Sequence, residues 1–393
     1  MITEAEALSH ILKSIAPLPS RTAPLREARE GFAAGEIFAR LALPVFDNSA
    51  MDGYAVVATS CRTGESQRVI GEQPAGVDRR LRIAPGEAVR VFTGAPIPAG
   101  ADAVVMQEDV RAEGSQIFIE TKVEAGDFVR RRGSDLSEGQ MIVGAGERLR
   151  AQTLSLLAAQ GLAEIEIGGN VRAAVITTGD ELVKPNKTLG AGQIYESNST
   201  LVQALFEKSG ASVVLREHCA DDPAAIEATL RRAFEHHVLV IVGGVSVGAR
   251  DFVRSALTST GAQTDLWRVS IKPGKPFLFG RAGECAIFGL PGNPVSAFVT
   301  FLLFVRPALL KMMGAGDEEL SLPSFDAQLA EEVQNTSDRP HYVRGRVVRG
   351  KFTPVGRQES HALFGLSRAN ALLRIASGEM LRGGATVPIL ALD

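Results

Sequence analysis

Residues Val238-Leu239-Val240-Ile241-Val242 are five consecutive apolar residues, four of them β-branched, and Gly243-Gly244 follows directly. A strand without a polar face has to be covered on both sides, so this run points to a sheet enclosed by helices. The surrounding sequence supplies such helices. Val171–Ile176 reads as another buried strand, Leu201–Lys208 as a helix closed by Gly210, and Ser212–Leu215 as a third strand. Asp222 then caps a helix that begins with Pro223 and carries Ile226, Leu230 and Phe234 on one face. Strands alternating with amphipathic helices make a parallel sheet covered on both faces.

Other parts of the chain follow different patterns. Ala5, Leu8, Leu12 and Ile15 fall at helical spacing, and a second apolar-periodic segment from Leu25 to Leu41 predicts a further helix. From Pro44 to about Gly139, short β-like runs such as Glu87–Val91, Ala103–Met106 and Gln116–Glu120 are broken by glycine and proline, the mark of a small β-rich unit. Ala151–Gly161 returns to helix. Beyond Met313, Tyr342–Val348, Leu372–Ile375 and Thr386–Leu390 are candidate strands.

With 393 residues, the chain has room for two to four domains at roughly 150 residues each. Lys plus Arg number 42 and Asp plus Glu 45, a formal net charge of −3, which argues against nucleic acid as the main partner. Cys61, Cys219 and Cys285 lie far apart and form no CxxC pair, so neither a disulfide framework nor a thiolate zinc site is expected. The acidic start Met-Ile-Thr-Glu-Ala-Glu-Ala lacks the basic and apolar regions of a signal peptide. Cys285–Val305 is uncharged and long enough to span a bilayer, but Pro291-Gly292-Asn293-Pro294 interrupts it, and it reads as buried core. A cytoplasmic protein without a membrane partner is expected.

Three clusters carry chemistry. Thr177-Thr178-Gly179-Asp180-Glu181 and Gly243-Gly244-Val245-Ser246-Val247-Gly248 each follow a parallel strand, where exposed backbone N–H groups suit phosphate. Lys272-Pro273-Gly274-Lys275-Pro276, with Arg268 upstream, is a stiffened cationic loop, and Gly289-Leu290-Pro291-Gly292-Asn293-Pro294 opens a further helix. The third cluster is acidic: Asp52, Asp135, Asp180, Glu181, Asp221, Asp222 and Asp251, hard oxygen donors of the kind magnesium shares with phosphates. Asp222 reads first as a helix cap, whereas Asp52 and Glu181 have no evident capping role. His236-His237 ends a helix, where cationic side chains complement the dipole.

These stretches, together with Phe46-Asp47-Asn48-Ser49-Ala50-Met51-Asp52-Gly53-Tyr54-Ala55-Val56 and Phe92-Thr93-Gly94-Ala95-Pro96-Ile97-Pro98, resemble the molybdopterin molybdenumtransferase family, which includes MoeA and the E domain of gephyrin. The resemblance implies a multidomain α/β plus β fold. It comprises an elongated helical domain (1–43 and 140–169), an inserted β-rich domain (44–139), a molybdopterin-binding α/β parallel-sheet domain (170–315) and a C-terminal β-barrel (316–393). It also implies a homodimer that inserts molybdate into adenylated molybdopterin and releases AMP, with Mg2+ required and the molybdopterin adenylyltransferase as a further candidate partner.

By motif match, Asp52, Asp135, Glu181, Lys272 and Lys275 are carried over as catalytic residues. Thr178, Gly179, Asp180, Gly243, Gly244, Ser246, Gly248, Asp251, Arg268, Pro291, Gly292, Asn293 and Pro294 are carried over as substrate-binding, and Glu181, Asp221 and Asp251 as metal-binding. Asp47 is expected to fix its own turn. The sequence departs from the family pattern at Ile241-Val242, where hydroxyl residues are usual, at Arg268, where lysine is frequent, and at Ala249-Arg250, where an acidic residue is often found. Two rival readings have the same architecture: adenylyl transfer, which would need ATP, and a scaffold role, which would need neither the acidic nor the lysine cluster.

Overall fold

The computed structural model describes residues 1–244 and 252–392. Its chain forms two compact units, residues 1–35, 144–154 and 163–393 in one and residues 36–143 and 155–162 in the other.

The first unit begins with α1 (Glu4–Lys13), where Thr3 and Glu6 form a reciprocal capping box and Ala7 and Ile11 are buried. Its centre is a six-stranded sheet. In chain order the elements are β1 (Arg172–Thr178), α2 (Asn198–Lys208), β2 (Ser212–Cys219), α3 (Pro223–Ala233), β3 (Val238–Val242) and α4 (Phe252–Ser259). They continue with β4 (Gln263–Arg268), β5 (Pro276–Ala282), β6 (Cys285–Leu290) and α5 (Pro294–Thr300). Strand order is β2-β1-β3-β6-β5-β4. The first four are mutually parallel, whereas β5 runs antiparallel to both β6 and β4.

The apolar run that dictated this sheet divides between two cores. Val238, Val240 and Val242 pack into one, with Phe206, Phe277, Phe288 and Phe304. Leu239 and Ile241 pack into the other, with Ile226, Leu230 and Leu257. Asp222 caps α3 by accepting the Ala225 N–H at 3.0 Å, with Pro223 in the first turn, as the sequence predicts. Helix α5 continues through a widened turn at Phe301–Val305, just before Pro307, into Arg306–Met312. The whole stretch Pro294–Met312 is long and apolar enough to cross a bilayer, yet 78% of its most apolar window is buried within the protein.

A closed five-stranded barrel follows. It consists of β7 (Ser324–Leu329), β8 (His341–Val348), β9 (Lys351–Pro354), β10 (Ala371–Ile375) and β11 (Thr386–Ala391), in the order β7-β9-β8-β10-β11. Tyr342, Leu366 and Leu372 share the larger core of the α/β sheet, which makes barrel and sheet one compact body.

The second unit is built on a six-stranded sheet in the order Ala103–Met106, Gly53–Val56, Glu87–Val91, Ser66–Gln73, Gln116–Ile119, Val110–Glu113. Its apolar residues divide between two faces, one around Tyr54, Val56 and Ile117, the other around Ala55, Val89 and Val104. Gly53 is required by packing, because a Cβ there would overlap the Val105 carbonyl oxygen on the neighbouring strand.

One sequence expectation is overturned here. Leu25 to Leu41 is not a helix: Leu25–Glu27 forms a single tight turn, and Ile37–Phe38 pairs with Met141–Val143. Phe32 and Ala33 bridge to Arg148 and Ile167, so their burial comes from strand-like contacts. Pro24, Gly31 and Gly35 all disfavour a helix in this stretch.

Candidate functional site

The pairing of the α/β sheet determines where its loops emerge. Because β1, β2, β3 and β6 are parallel, Thr178, Cys219, Val242 and Leu290 all end at one edge. β4 runs in the same direction, and Arg268 pairs with Pro276 at the start of β5. That edge therefore collects Thr178–Glu181, Asp221, Gly243-Gly244, Arg268, the loop Lys272–Pro276 and the loop Pro291–Pro294.

At its centre the backbones approach closely. Gly243 and Gly244 have φ of +91° and +62°. A Cβ on Gly243 would lie 2.8 Å from the Thr178 carbonyl oxygen, and one on Gly244 would lie 2.8 Å from Thr178 Oγ1. Glycine is thus required by the neighbouring strand as well as by any ligand. The Gly243 N–H donates to Leu290 O at 3.1 Å, which ties the second glycine loop to the Pro291–Pro294 loop. Thr178 Oγ1 is buried and has no hydrogen-bond partner among the described residues. Asn198 Oδ1 is in the same condition, while its amide nitrogen donates to Gly292 O at 2.6 Å. Pro291 is buried, Gly292 and Asn293 are exposed, and Pro294 occupies the first turn of α5. Unpaired buried oxygens around a backbone cradle are what a polar ligand would satisfy.

Carboxylates stand beside this cradle. Asp180 accepts the Asp221 N–H at 3.0 Å, and the Glu181 carboxylate folds back over Gly179, whose φ is +138°. Burial, with the neighbouring Asp180 and Glu181 charges, raises the Asp221 carboxyl above its ordinary range. Like charges held together in this way favour a cation, although no group of three or more His, Cys, Asp or Glu is arranged to hold a metal ion by itself among the described residues.

The lysine loop is positioned by the barrel. Lys272 N–H donates to Pro340 O and Lys272 O accepts from Tyr342 N–H, both at 2.8 Å. His341, beside it, is pushed down to about 4 by burial and by the Lys272 and Arg344 charges. Gly274 has φ of +119°, and a Cβ there would meet Thr300 Cγ2 at 2.6 Å, so this loop packs on the helix that Pro294 begins. Lys275 is exposed and Arg268 ends its strand in solvent. Ile241 and Val242, where the family pattern has hydroxyls, are buried in β3.

Asp52 and Asp135 lie in the second unit. There the two long motifs interlock: Thr93 donates to Asp52 Oδ1 from its N–H at 2.7 Å and from its hydroxyl at 2.8 Å, and Ser49 exchanges backbone hydrogen bonds with Gly94 and Ala95. The Thr93 N–H, followed by its hydroxyl, holds Asp52 below the usual carboxylate range. Asp47 does not fix its own turn. It accepts the Arg132 N–H at 2.8 Å and pairs with Arg131 at 2.8 Å, which lowers its carboxyl too. Asp135 is exposed, and its N–H donates to Leu43 O.

The histidine pair also departs from expectation. α3 ends at Ala233, and His237 Nδ1 accepts the Arg172 N–H at 3.0 Å. Burial, then the Arg172 charge, lowers both His236 and His237, which disfavours the cationic form expected at this helix end. Ser246, Gly248 and Asp251 lie outside the described residues. Sequence reasoning missed Asn198, whose signal was its place at the start of a helix, and His341, which carried none.

Comparison with known proteins agrees along the whole chain. The family description "MoeA N-terminal region (domain I and II)" matches residues 2–161, "Probable molybdopterin binding domain" residues 174–311, and "MoeA C-terminal region (domain IV)" residues 326–392. Molybdopterin molybdenumtransferase of Haemophilus influenzae is 37% identical over 350 residues, covering 88% of this chain and 86% of that protein. The protein of the same name from Synechococcus elongatus is 34% identical, with 100% of both covered. The crystal structure of the molybdopterin biosynthesis moeA protein from Pyrococcus horikoshii OT3 superposes with a TM-score of 0.85 at 30% identity, with 100% of both chains covered. With three regional matches in the right order and relatives this similar over nearly their full length, the chain belongs to the molybdopterin molybdenumtransferase family.

Proposed function

We propose that this chain is an enzyme of molybdenum cofactor biosynthesis that inserts molybdate into adenylated molybdopterin and releases AMP. The observation that carries this reading is one sheet edge holding a side-chain-free backbone cradle, a carboxylate group and a cationic loop. The cradle at Gly243, Gly244 and Gly292, with the Thr178 hydroxyl that has no partner among the described residues, suits the phosphates of an adenylate. Lys272, Lys275 and Arg268 give the positive charge that attracts the tetrahedral molybdate dianion, which is substrate and not a resident cofactor. As an oxygen of water or molybdate forms a new bond to phosphorus and the phosphoanhydride P–O bond breaks, any proton of the attacking oxygen passing to solvent, the same cations and N–H dipoles would stabilise the charge that develops on the leaving phosphate.

Magnesium fits the donor set. Asp221 and Glu181 are hard oxygen ligands whose mutual repulsion a cation relieves, and Asp251 is the third residue of the proposed set. Because too few ligands converge among the described residues to make a closed cage, the ion would share its coordination with substrate phosphate. When bound, it would supply charge neutralisation at the phosphoanhydride.

We further propose a homodimer in the cytoplasm, with the molybdopterin adenylyltransferase as supplier of substrate and with no nucleic-acid or membrane partner. Phe38, Leu41, Phe46 and Met51 of the second unit are large and exposed, which supports a protein contact there. Asp52 and Asp135 belong to that unit, and their catalytic roles rest on the family motifs.

The deciding experiment is turnover with adenylated molybdopterin, molybdate and magnesium, with AMP release and cofactor formation followed together. Molybdate-dependent AMP release that falls at least about a hundredfold in Glu181→Gln and Lys272→Ala supports the reading. A folded protein that binds the adenylate and releases no AMP overturns it.

A further inference from the structure

A hollow of about 590 Å³ opens in the first unit where Leu205 and Lys208 of α2 meet Leu302, Arg306 and Leu310. Its other walls are Arg148 and Arg150, the connection from residue 318 to residue 324, and Ala391 and Leu392 at the end of the barrel. Asn198 opens α2 beside the cradle and Lys208 closes it, and a helix of 11 residues spans roughly 15 Å, so the hollow is separate from the sheet edge.

Its charge is unbalanced among the described residues: Arg148, Arg150, Lys208 and Arg306 stand against Glu318 and Glu319, and Glu318 is exposed. Glu319 serves two guanidiniums, Arg148 at 3.0 Å and Arg150 at 3.6 Å, and Arg148 also reaches Glu30 at 3.5 Å. Lys208 donates to Leu392 O. Arg306 has no carboxylate at ion-pair distance among the described residues, and it donates to the carbonyl oxygens of Leu320 at 2.9 Å and Ser321 at 3.3 Å. Burial, then the Arg148 charge, pushes its guanidinium down against the pull of Glu319, the mark of a cation with too little compensation. The rest of the wall is apolar: Leu205 and Leu302 are each 8% exposed, and Leu322 packs on the same core. Inorganic phosphate would leave these leucines wet, and an uncharged apolar molecule would leave Arg306 uncompensated. An apolar body that carries one anionic head satisfies both.

We propose that this hollow is a second ligand site, which takes a small amphipathic anion with its head on Arg306 and its apolar body against Leu205, Leu302 and Leu322. The inference is independent of the transferase reading. Ser324 begins β7 and Leu392 follows β11, so a bound ligand ties the barrel to α2 and to Arg306–Met312. A carboxylate and a phosphate monoester share the chemistry of the head, and the experiment separates them.

Full-length protein is titrated calorimetrically with octanoate, octyl phosphate, octan-1-ol and inorganic phosphate. At least one octyl anion is expected to bind about tenfold more tightly than octanol or inorganic phosphate, and the tighter of the two identifies the head. Arg306→Gln, which keeps a donor for the carbonyls, should lose that advantage, Arg306→Lys should retain most of it, and AMP affinity should be unchanged in both. Leu322→Trp fills the hollow without touching a charge and should weaken the same anion severalfold. It decides the matter if Arg306→Gln fails to fold. With the ligand bound, amide exchange of β7 and β11 should slow. Absence of binding by both anions, affinity indifferent to Arg306→Gln and Leu322→Trp, or an equal loss of AMP binding overturns the proposal. So does an affinity that changes with protein concentration as an oligomer dissociates, which would give this face to a second copy of the chain.

Discussion

Two regions carry equally conspicuous motifs, and they are constructed in opposite ways. Around Asp52 in the second unit, the polar groups are paired: Thr93 satisfies Asp52, Arg131 and Arg132 satisfy Asp47, and Ser49 joins Gly94 and Ala95. At the sheet edge of the first unit, Thr178 and Asn198 keep buried oxygens without a partner among the described residues, and Asp221 is raised by burial and by its acidic neighbours. Paired motifs hold a shape; under-satisfied ones hold free energy that a ligand can recover. The contrast suggests that the long motif around Asp52 is first a structural lock that presents its carboxylate in one orientation, while the edge of the α/β sheet is where binding takes place.

The sharpest way to break this comparison is to alter one glycine in each region. Gly53→Ala should abolish ordered structure in the second unit, a loss above about 4 kcal/mol, because the new Cβ overlaps the backbone carbonyl of Val105 and backbone cannot step aside. Hydrogen exchange would show Gly53–Val56 and Ala103–Met106 unprotected while β1 and β3 remain slow. Gly244→Ala should still fold, at a cost of about 2–3 kcal/mol: its φ of +62° is strained, and the buried side chains of Val253 and Thr178, which would lie 2.5 and 2.8 Å from the new Cβ, have to shift, as a backbone carbonyl could not. It should nonetheless lose AMP release. Equal stability loss in the two variants would erase the distinction.

The legibility of each region follows the same division. Val238–Val242 was readable because burial on both faces leaves an unbroken apolar run, and Asp222-Pro223 because cap and first turn are local signals. Leu25–Leu41 misled because irregular extended chain can bury residues at three- and four-residue spacing when bridges to Arg148 and Ile167 do the burying. Such partners lie more than a hundred residues away, and no local pattern reports them. For the site, the glycine and lysine motifs were legible as backbone features. Asn198 was not: an amide at a helix start gains meaning only once its nitrogen is seen to donate to Gly292 O across the site.

A smaller effect tests how the barrel serves the site. His341 is 6% exposed, its Nε2 has no partner among the described residues, and it lies near 4 against an ordinary 6.5. The folded protein holds this ring neutral and the unfolded chain protonates it below about 6.5. The stability it contributes is therefore present above that pH and is lost as pH falls toward 4. We expect a loss on the order of 2–3 kcal/mol over that range, with the protection of β8 and the Lys272 loop falling first. In His341→Gln the pH dependence of this protection should flatten. An unchanged profile would remove His341 as its source.

The smallest effect bears most directly on the under-satisfied region. A raised Asp221 carboxyl means that the folded chain binds this proton more tightly than the unfolded one. Stability is then lost as pH rises from 3.8 through the folded value, and it stays lower at neutral pH. Asp221→Asn removes that cost, so the variant should unfold roughly 1–3 °C higher at pH 7, the scale of a partly solvated charge group. Adding magnesium chloride should raise the wild-type midpoint and raise that of Asp221→Asn less, because the variant has lost part of the repulsion that a cation relieves. These two shifts belong together. A variant less stable than wild type, with an undiminished response to magnesium, would mean that Asp221 is an ordinary structural carboxylate and that the tension at this sheet edge is relieved elsewhere.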